Sequence, residues 1–138
     1  KALISVRDGD KSRTGSLARK LIEMGFELVA TGGTCEYLKS EGITCEPVNK
    51  VMEGRPNIVD MIKNDVIAFI VNTTEGRQAI MDSATIRRSA LNRKVCYTTT
   101  LAGGESIVRA LMFGDERDVR RLQDLHRCVG RNHKESNE

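Results

Sequence analysis

Apolar residues along the chain fall into short runs that alternate with stretches of helical spacing. The runs predict strands, and the stretches predict helices because their apolar residues recur every three or four positions. Pro47 weakens the third run, which places that strand at a sheet edge, whereas the unbroken run 66–71 indicates a strand covered on both faces. The predicted strands are 2–6, 26–30, 43–48, 66–71 and 95–99, and the predicted helices are 14–24, 35–40, 57–64, one or two within 77–93, and 104–113.

This alternation predicts an α/β fold with three layers, in which helices cover both faces of a five-stranded parallel sheet. Ligands of such sheets bind beyond the carboxyl ends of the strands, where the strand order reverses. The residues that follow each predicted strand are therefore the candidates for a functional site.

The amino-acid composition argues against a nucleic-acid-binding protein and against a membrane-spanning one. The chain has 138 residues, 22 of them basic and 19 acidic, with a net charge of +3 and no Trp. This balance offers neither the concentrated basic face nor the aromatic platform of a nucleic-acid-binding protein, and no apolar run approaches the length of a membrane span. We expect one domain over residues 1–126 and a polar, disordered tail over 127–138; a start without Met that leads directly into a strand is typical of a segment of a longer polypeptide.

The four cysteines form no CxxC pair and no zinc signature. Cys45 and Cys96 lie in apolar, strand-like contexts and are predicted to be small core residues. Unpaired thiols fit a reducing cytoplasm, and we expect no metal site.

A glycine turn follows the second predicted strand, with the sequence Thr31-Gly32-Gly33-Thr34. Two glycines let the backbone bend and present its N–H groups, and a helix starting at about Thr34 adds free N–H groups and the positive end of its dipole. With the threonine hydroxyls, this arrangement suits a phosphate monoester. An ordinary turn between a strand and a helix is the alternative.

Lysines and polar groups follow the other strands. Lys11 comes after the first strand, Lys50 after the third, and Asn72 and Thr73 after the fourth. Each lysine alone is typical of a solvated surface, but their shared placement favours an anion site. No His precedes residue 126, and the nearby carboxylates have basic neighbours in sequence, so the pattern favours binding over catalysis.

Five strings carry a resemblance to a known family. They resemble the C-terminal allosteric domain of the large subunit of bacterial-type carbamoyl phosphate synthetases, and the resemblance covers residues 2 to about 126. The strings are ATGGT at 30–34, VNKVMEGRP at 48–56, IVNTTEGR at 70–77, IRRSAL at 86–91 and YTTTL at 97–101.

The resemblance implies a methylglyoxal synthase-like fold with strand order 3-2-1-4-5 and a regulatory role. UMP as inhibitor and IMP as activator would bind in overlapping positions, and ornithine would activate where this domain meets the rest of the subunit. The implied parent enzyme makes carbamoyl phosphate from bicarbonate, glutamine and two MgATP, uses potassium, and works with a glutaminase small subunit in the cytoplasm; the domain itself would have no catalytic residue, metal or cofactor. By motif match, the nucleotide site comprises Ser5, Lys11, Thr31, Gly32, Gly33, Thr34, Lys50, Val51, Asn72 and Thr73, and the ornithine or interdomain site comprises Asp82, Tyr97 and Thr99.

Two alternatives stay open. One is a lyase of the methylglyoxal synthase kind, although Arg55 stands where that enzyme has a catalytic aspartate and Arg7-Asp8 stands where it has His-Asp. The other is a structural oligomerisation module, in which a helix such as 82–92 packs against a partner.

Overall fold

Short apolar segments pair in parallel to form the central layer of the molecule. The computed structural model describes residues 1–114, apart from the side chain of Gln78. The strands are β1 Ala2–Ser5, β2 Leu28–Thr31, β3 Glu46–Val48, β4 Phe69–Asn72 and β5 Cys96–Thr98. They form one parallel sheet in the order β3-β2-β1-β4-β5, which confirms the predicted sheet and the implied strand order.

Helices cover both faces of this sheet, as predicted. They are α1 Lys11–Glu23, α2 Gly32–Ser40, α3 Ile58–Lys63, α4 Arg77–Asn92 and α5 Leu101–Met112, with short 3-10 helices at Asp8–Asp10 and Val51–Glu53. On one face α1 packs against α2 and α5, and on the other α3 packs against α4.

Strand residues alternate between two hydrophobic cores. Ile4 and Phe69 belong to the core under α1, α2 and α5, while Leu3 and Ile70 belong to the core under α3 and α4. All four side chains are at most 2% exposed. Successive residues of a strand point to opposite faces, so an unbroken apolar run is what a strand covered on both faces requires.

Several helices begin earlier than their apolar spacing predicts. The helix α2 starts at Gly32 rather than at about Thr34, and α1 starts at Lys11 because the 3-10 helix Asp8–Asp10 leads directly into it. The helix α5 starts at Leu101, where the Thr100 side chain accepts a hydrogen bond from the N–H of Gly103. Polar first turns carry few apolar residues, which is why periodicity places the helix starts too late.

Two predictions from the sequence depend on which strands form the edges of the sheet. Pro47 lies in the edge strand β3, which confirms the assignment made from this residue. The prediction that Cys96 is a core residue was wrong, because β5 forms the opposite edge and leaves this side chain exposed. Cys45 is 6% exposed and does belong to the core.

The predicted domain end at residue 126 and the predicted tail 127–138 lie outside the residues that the structure describes. Within residues 1–114 no helix is long and apolar enough to cross a membrane. The same residues hold no group of three or more His, Cys, Asp or Glu side chains that suits a metal ion.

Candidate anion-binding site

A cavity of about 690 Å³ opens at the carboxyl ends of β1, β2 and β4. The strand order reverses between β1 and β4, so the cavity lies at the switch point where parallel sheets bind ligands. The structure brings together residues from four separate stretches of the chain that were predicted for the nucleotide site. Those that line the cavity are Ser5, Thr31, Lys50, Asn72 and Thr73.

Hydroxyl groups form the floor of the site between β1 and α2. The Thr31 hydroxyl lies 3.2 Å from Ser5 Oγ and 3.4 Å from Thr34 Oγ1. Thr34 Oγ1 accepts a hydrogen bond of 3.2 Å from the N–H of Val6. Thr34 is 1% exposed, so this hydroxyl joins α2 to β1 and holds the start of the helix against the end of the strand.

Lys11 lies beside the N-terminus of α2. A Cβ placed on Gly33 would lie 3.2 Å from Lys11 Nζ, so the absence of a side chain at Gly33 leaves room for the ammonium group. Gly33 is not among the glycines with positive φ, and the expectation that it serves a sharp bend was wrong, because it lies in the first helical turn. Unpaired N–H groups at that turn and the Lys11 charge favour an anion together.

The charges around the site are balanced within the protein. Lys11 Nζ lies 2.7 Å from the Asp8 carboxylate. The pKa of Asp8 is lowered by this hydrogen bond, by the Lys11 charge and, more weakly, by the Lys50 charge. The charges of both lysines therefore reach the Asp8 carboxylate. Asp10 is paired with Arg7 at 2.9 Å, and the Glu53 carboxylate accepts a 2.7 Å hydrogen bond from the N–H of Lys50.

Asn72 is oriented by two hydroxyl groups at the back of the cavity. Its amide nitrogen lies 2.9 Å from Ser83 Oγ on α4 and 2.9 Å from the Tyr97 hydroxyl on β5. Asn72 is 3% exposed and Ser83 is 2% exposed. Both N–H groups of the Asn72 amide are therefore engaged within the protein, which fixes the orientation of the amide.

The three residues predicted for an ornithine or interdomain site lie in three different surroundings. Asp82 lines the same cavity as the nucleotide residues. Tyr97 contacts Asn72 through its hydroxyl, while Thr99 is exposed just beyond β5. Five of the residues predicted for the nucleotide site do not line the cavity: Lys11, Gly32, Gly33, Thr34 and Val51. The first four lie at or beside the start of α2, whereas Val51 is half-buried against the core under α3 and α4.

One wall of the cavity was missed by the sequence predictions. The helix α4 contributes Ala79, Asp82, Ser83 and Ile86, which lie on one helical face at spacings of three, one and three. Only Asp82 was named, and for a different role. The helical spacing was a usable signal, although nothing local indicates that this face turns to the ends of β1 and β4.

The arrangement is chemically suited to binding an anion. Three carboxylates near the lysines have partners within the protein: Asp8 pairs with Lys11, Asp10 pairs with Arg7, and Glu53 accepts from the backbone of Lys50. Glu75 and Asp82 also line the cavity. Lys11, Gly33 and the Thr31 hydroxyl thus form a candidate anion cradle at the start of α2, beside the larger cavity.

Comparison with known proteins gives the same fold. An MGS-like domain family model matches residues 14–99. The structure resembles methylglyoxal synthase from Elizabethkingia anophelis with a TM-score of 0.61 and 19% identity, over 78% of this chain and 76% of that one. It resembles ForH with a TM-score of 0.60 and 20% identity, over 82% of this chain and 80% of that one. At these identities the likeness concerns the fold alone.

Sequence relatives are much more similar. The chain is 58% identical over 125 residues to the carbamoyl phosphate synthase large chain of Pseudomonas putida, which covers 91% of this chain and 12% of that protein. It is 56% identical over 129 residues to the large chain of Halomonas eurihalina, which covers 94% and 12%. The chain thus spans about 12% of the length of the curated relatives it matches.

Proposed function

The chain belongs to the MGS-like domain family, and from this membership we propose that it is a regulatory domain whose cavity binds a nucleoside monophosphate. The observation that carries the proposal is the joint placement of Lys11, Gly33 and the Thr31 hydroxyl around the start of α2, next to a cavity of about 690 Å³. The cradle suits a phosphate dianion, and the cavity leaves room for a ribose and a base.

The similarity to carbamoyl phosphate synthase large chains supports a more specific proposal. The ligands would be UMP as inhibitor and IMP as activator of a glutamine-dependent synthetase. The parent enzyme would make carbamoyl phosphate from bicarbonate, glutamine and two MgATP, with potassium and a glutaminase small subunit, in the cytoplasm. Its product would supply pyrimidine and arginine synthesis.

Calorimetric titration of the chain with UMP, IMP and uridine tests the proposal. We expect both nucleotides to bind at one site and to compete, and uridine to bind far more weakly because the cradle is left empty. Equal affinity for uridine and UMP would contradict the phosphate site. Absence of binding by UMP and IMP would favour the structural oligomerisation module.

A lyase function is tested by incubating the chain with dihydroxyacetone phosphate. Arg55 stands at the position of the missing catalytic aspartate and pairs with Asp60. This ion pair and the backbone N–H of Asn57 lower the pKa of Asp60, which makes this carboxylate a poor base. Release of inorganic phosphate with formation of methylglyoxal would overturn the binding-only assignment.

Replacing Asp8 with Asn is expected to strengthen binding of inorganic phosphate and UMP. The Asp8 carboxylate competes with a bound phosphate for Lys11 Nζ, from which it lies 2.7 Å. Removing this charge should raise the affinity by about two- to fivefold at low ionic strength, and the gain should shrink with added salt. The measurement is calorimetry at two salt concentrations, with Glu36→Gln, an exposed carboxylate on α2, as control. Weaker binding by Asp8→Asn would contradict the proposed competition.

Replacing Tyr97 with Phe is expected to weaken UMP binding while leaving inorganic phosphate binding unchanged. The substitution keeps the ring, which lies 5.9 Å from the Arg87 guanidinium, but removes the hydroxyl that orients the Asn72 amide. Loss of one neutral hydrogen bond corresponds to a weakening of about three- to tenfold. Tyr37→Phe on α2 is the matched control, and an equal loss of phosphate affinity would indicate a general structural effect instead.

Ornithine is proposed to act through the face that carries Tyr97 and Thr99. In the full-length enzyme, Thr99→Ala is expected to weaken ornithine activation and to leave UMP affinity within a few-fold. Thr99 is exposed beyond β5 and so is available to a neighbouring part of the parent protein. Coupling energies between sites are typically about 1–3 kcal/mol, which steady-state activation curves resolve. Loss of UMP binding with normal ornithine activation would contradict this division of roles.

A further inference from the structure

Two buried cysteines contact each other beside the phosphate cradle. Cys35 lies in the first turn of α2, and Cys45 lies directly before β3. Their Sγ atoms are 2.9 Å apart, and each Sγ lies 3.6 Å from the carbonyl oxygen of the other residue. The two residues are 2% and 6% exposed. The described cysteines are all free thiols, so this contact joins two reduced groups.

The geometry points to a site of covalent modification: we propose that Cys35 and Cys45 form a reversible disulfide by exchange with a small disulfide such as glutathione disulfide. A disulfide joins sulfur atoms about 2.05 Å apart, so the two Sγ atoms, now 2.9 Å apart, need to approach by only about 0.9 Å. Neither the fold nor the nucleotide site assigns a function to this pair.

The exchange balances without another reactant. The thiolate of one cysteine attacks glutathione disulfide, which forms a mixed disulfide and releases one glutathione. The thiolate of the second cysteine then attacks the protein sulfur of the mixed disulfide, which forms the Cys35–Cys45 bond and releases a second glutathione. Two protein thiols are oxidised, one glutathione disulfide is reduced, and the two thiol protons are carried by the released glutathione molecules.

The position of the bond gives it a defined structural effect. It would tie the first turn of α2, which carries Gly33 and Thr34, to the chain entering the edge strand β3. Cys96 is exposed on β5 at the opposite edge of the sheet, so it cannot take part in the same cross-link. Burial and the contact with Cys35 raise the pKa of the Cys45 thiol to about 12; little thiolate forms at neutral pH, and the exchange is slow.

The test equilibrates the folded chain overnight in buffers with increasing ratios of oxidised to reduced glutathione. Free thiols are then trapped by alkylation in acid-quenched samples, and peptides are analysed by mass spectrometry. We expect a peptide pair that links Cys35 to Cys45 and is lighter by about 2 Da than the two reduced peptides together, and we expect full reversal by dithiothreitol. Cys96→Ser should behave like the wild type, whereas Cys35→Ala and Cys45→Ala should each abolish the linked peptide.

Two results would overturn the proposal. One is free Cys35 and Cys45 in the most oxidising buffer, or a linked peptide found only when urea is present. The other is a lower melting temperature of the oxidised wild type than of the reduced wild type, because a bond that fits the fold restricts the unfolded chain and raises the melting temperature. Since the linked peptide is identified in the wild-type chain, the result does not depend on whether the alanine variants fold.

Discussion

Replacing Lys50 with alanine is expected to weaken UMP binding by about ten- to a hundredfold, and Lys11→Ala by at least as much. A hydrogen bond to a charged group contributes about 1.5–3 kcal/mol, and about 1.4 kcal/mol corresponds to a tenfold change in affinity. Lys50 lines the cavity, and its charge reaches Asp8, which is the carboxylate paired with Lys11.

The two lysines should differ in a way that the structure explains. Removing Lys11 leaves the Asp8 carboxylate, now 2.7 Å from Lys11 Nζ, without its partner and next to the phosphate. Removing Lys50 leaves the Lys11–Asp8 pair intact. We therefore expect Lys11→Ala to cost more affinity than Lys50→Ala at low salt, and the difference to narrow as salt screens Asp8.

Calorimetry with UMP and uridine measures both effects. Neither substitution should change the weak affinity for uridine, because uridine lacks the phosphate. Lys39→Ala is the matched control, since Lys39 is an exposed lysine in the last turn of α2, at the end of the helix opposite to the cradle. A similar loss of UMP affinity in Lys39→Ala would show that net charge, rather than a local contact, governs binding.

Replacing Gly33 with valine is expected to weaken UMP binding at least about tenfold, while the chain stays folded. A Cβ at this position would lie 3.2 Å from Lys11 Nζ, and the γ-methyl groups of valine would drive the ammonium group out of the cradle. The backbone itself should tolerate the change, because Gly33 is helical and glycine is a weaker helix former than valine.

The same substitution at Gly32 provides the comparison. A Cβ on Gly32 meets nothing within 4 Å, although both glycines lie in the first turn of α2. Gly32→Val therefore shares the change in helix propensity but not the contact with Lys11, and it should cost less UMP affinity. Melting temperatures of the two variants should be similar. A large fall in melting temperature of Gly33→Val with intact UMP affinity would mean that Gly33 serves the fold rather than the ligand.

The candidate site was predictable where it depends on the ends of strands. Thr31 and Asn72 end strands that local hydrophobicity reveals, and Lys11 and Lys50 follow such strands. Parallel pairing brings those ends to one edge of the sheet. The predicted convergence needed no knowledge of helix packing. The ion-pair partner of each charged side chain, such as Asp8 for Lys11, could not be predicted in this way. Such partners depend on distances between side chains, which strand order alone does not give.

Local pattern also determined the number, type and order of the strands and helices. Buried strands require unbroken apolar runs, and surface helices require one apolar face. Both signals can therefore be recognised within a short stretch of sequence. Helix starts were less accessible, as at Gly32, because a polar first turn resembles a loop. Pro47 revealed one edge of the sheet, but the exposure of Cys96 depended on β5 forming the other edge.

Only the tertiary structure decided the contacts between distant segments. The face of α4 that closes the cavity, the approach of Lys11 to Gly33, the two hydroxyls that orient Asn72 and the contact between Cys35 and Cys45 all join different elements. The sequence by itself determined the elements and the edge of the sheet at which the candidate site lies. The angle and depth at which each helix packs on the sheet determined which side chains meet there, because those quantities depend on the fit of the whole core rather than on any local run of residues.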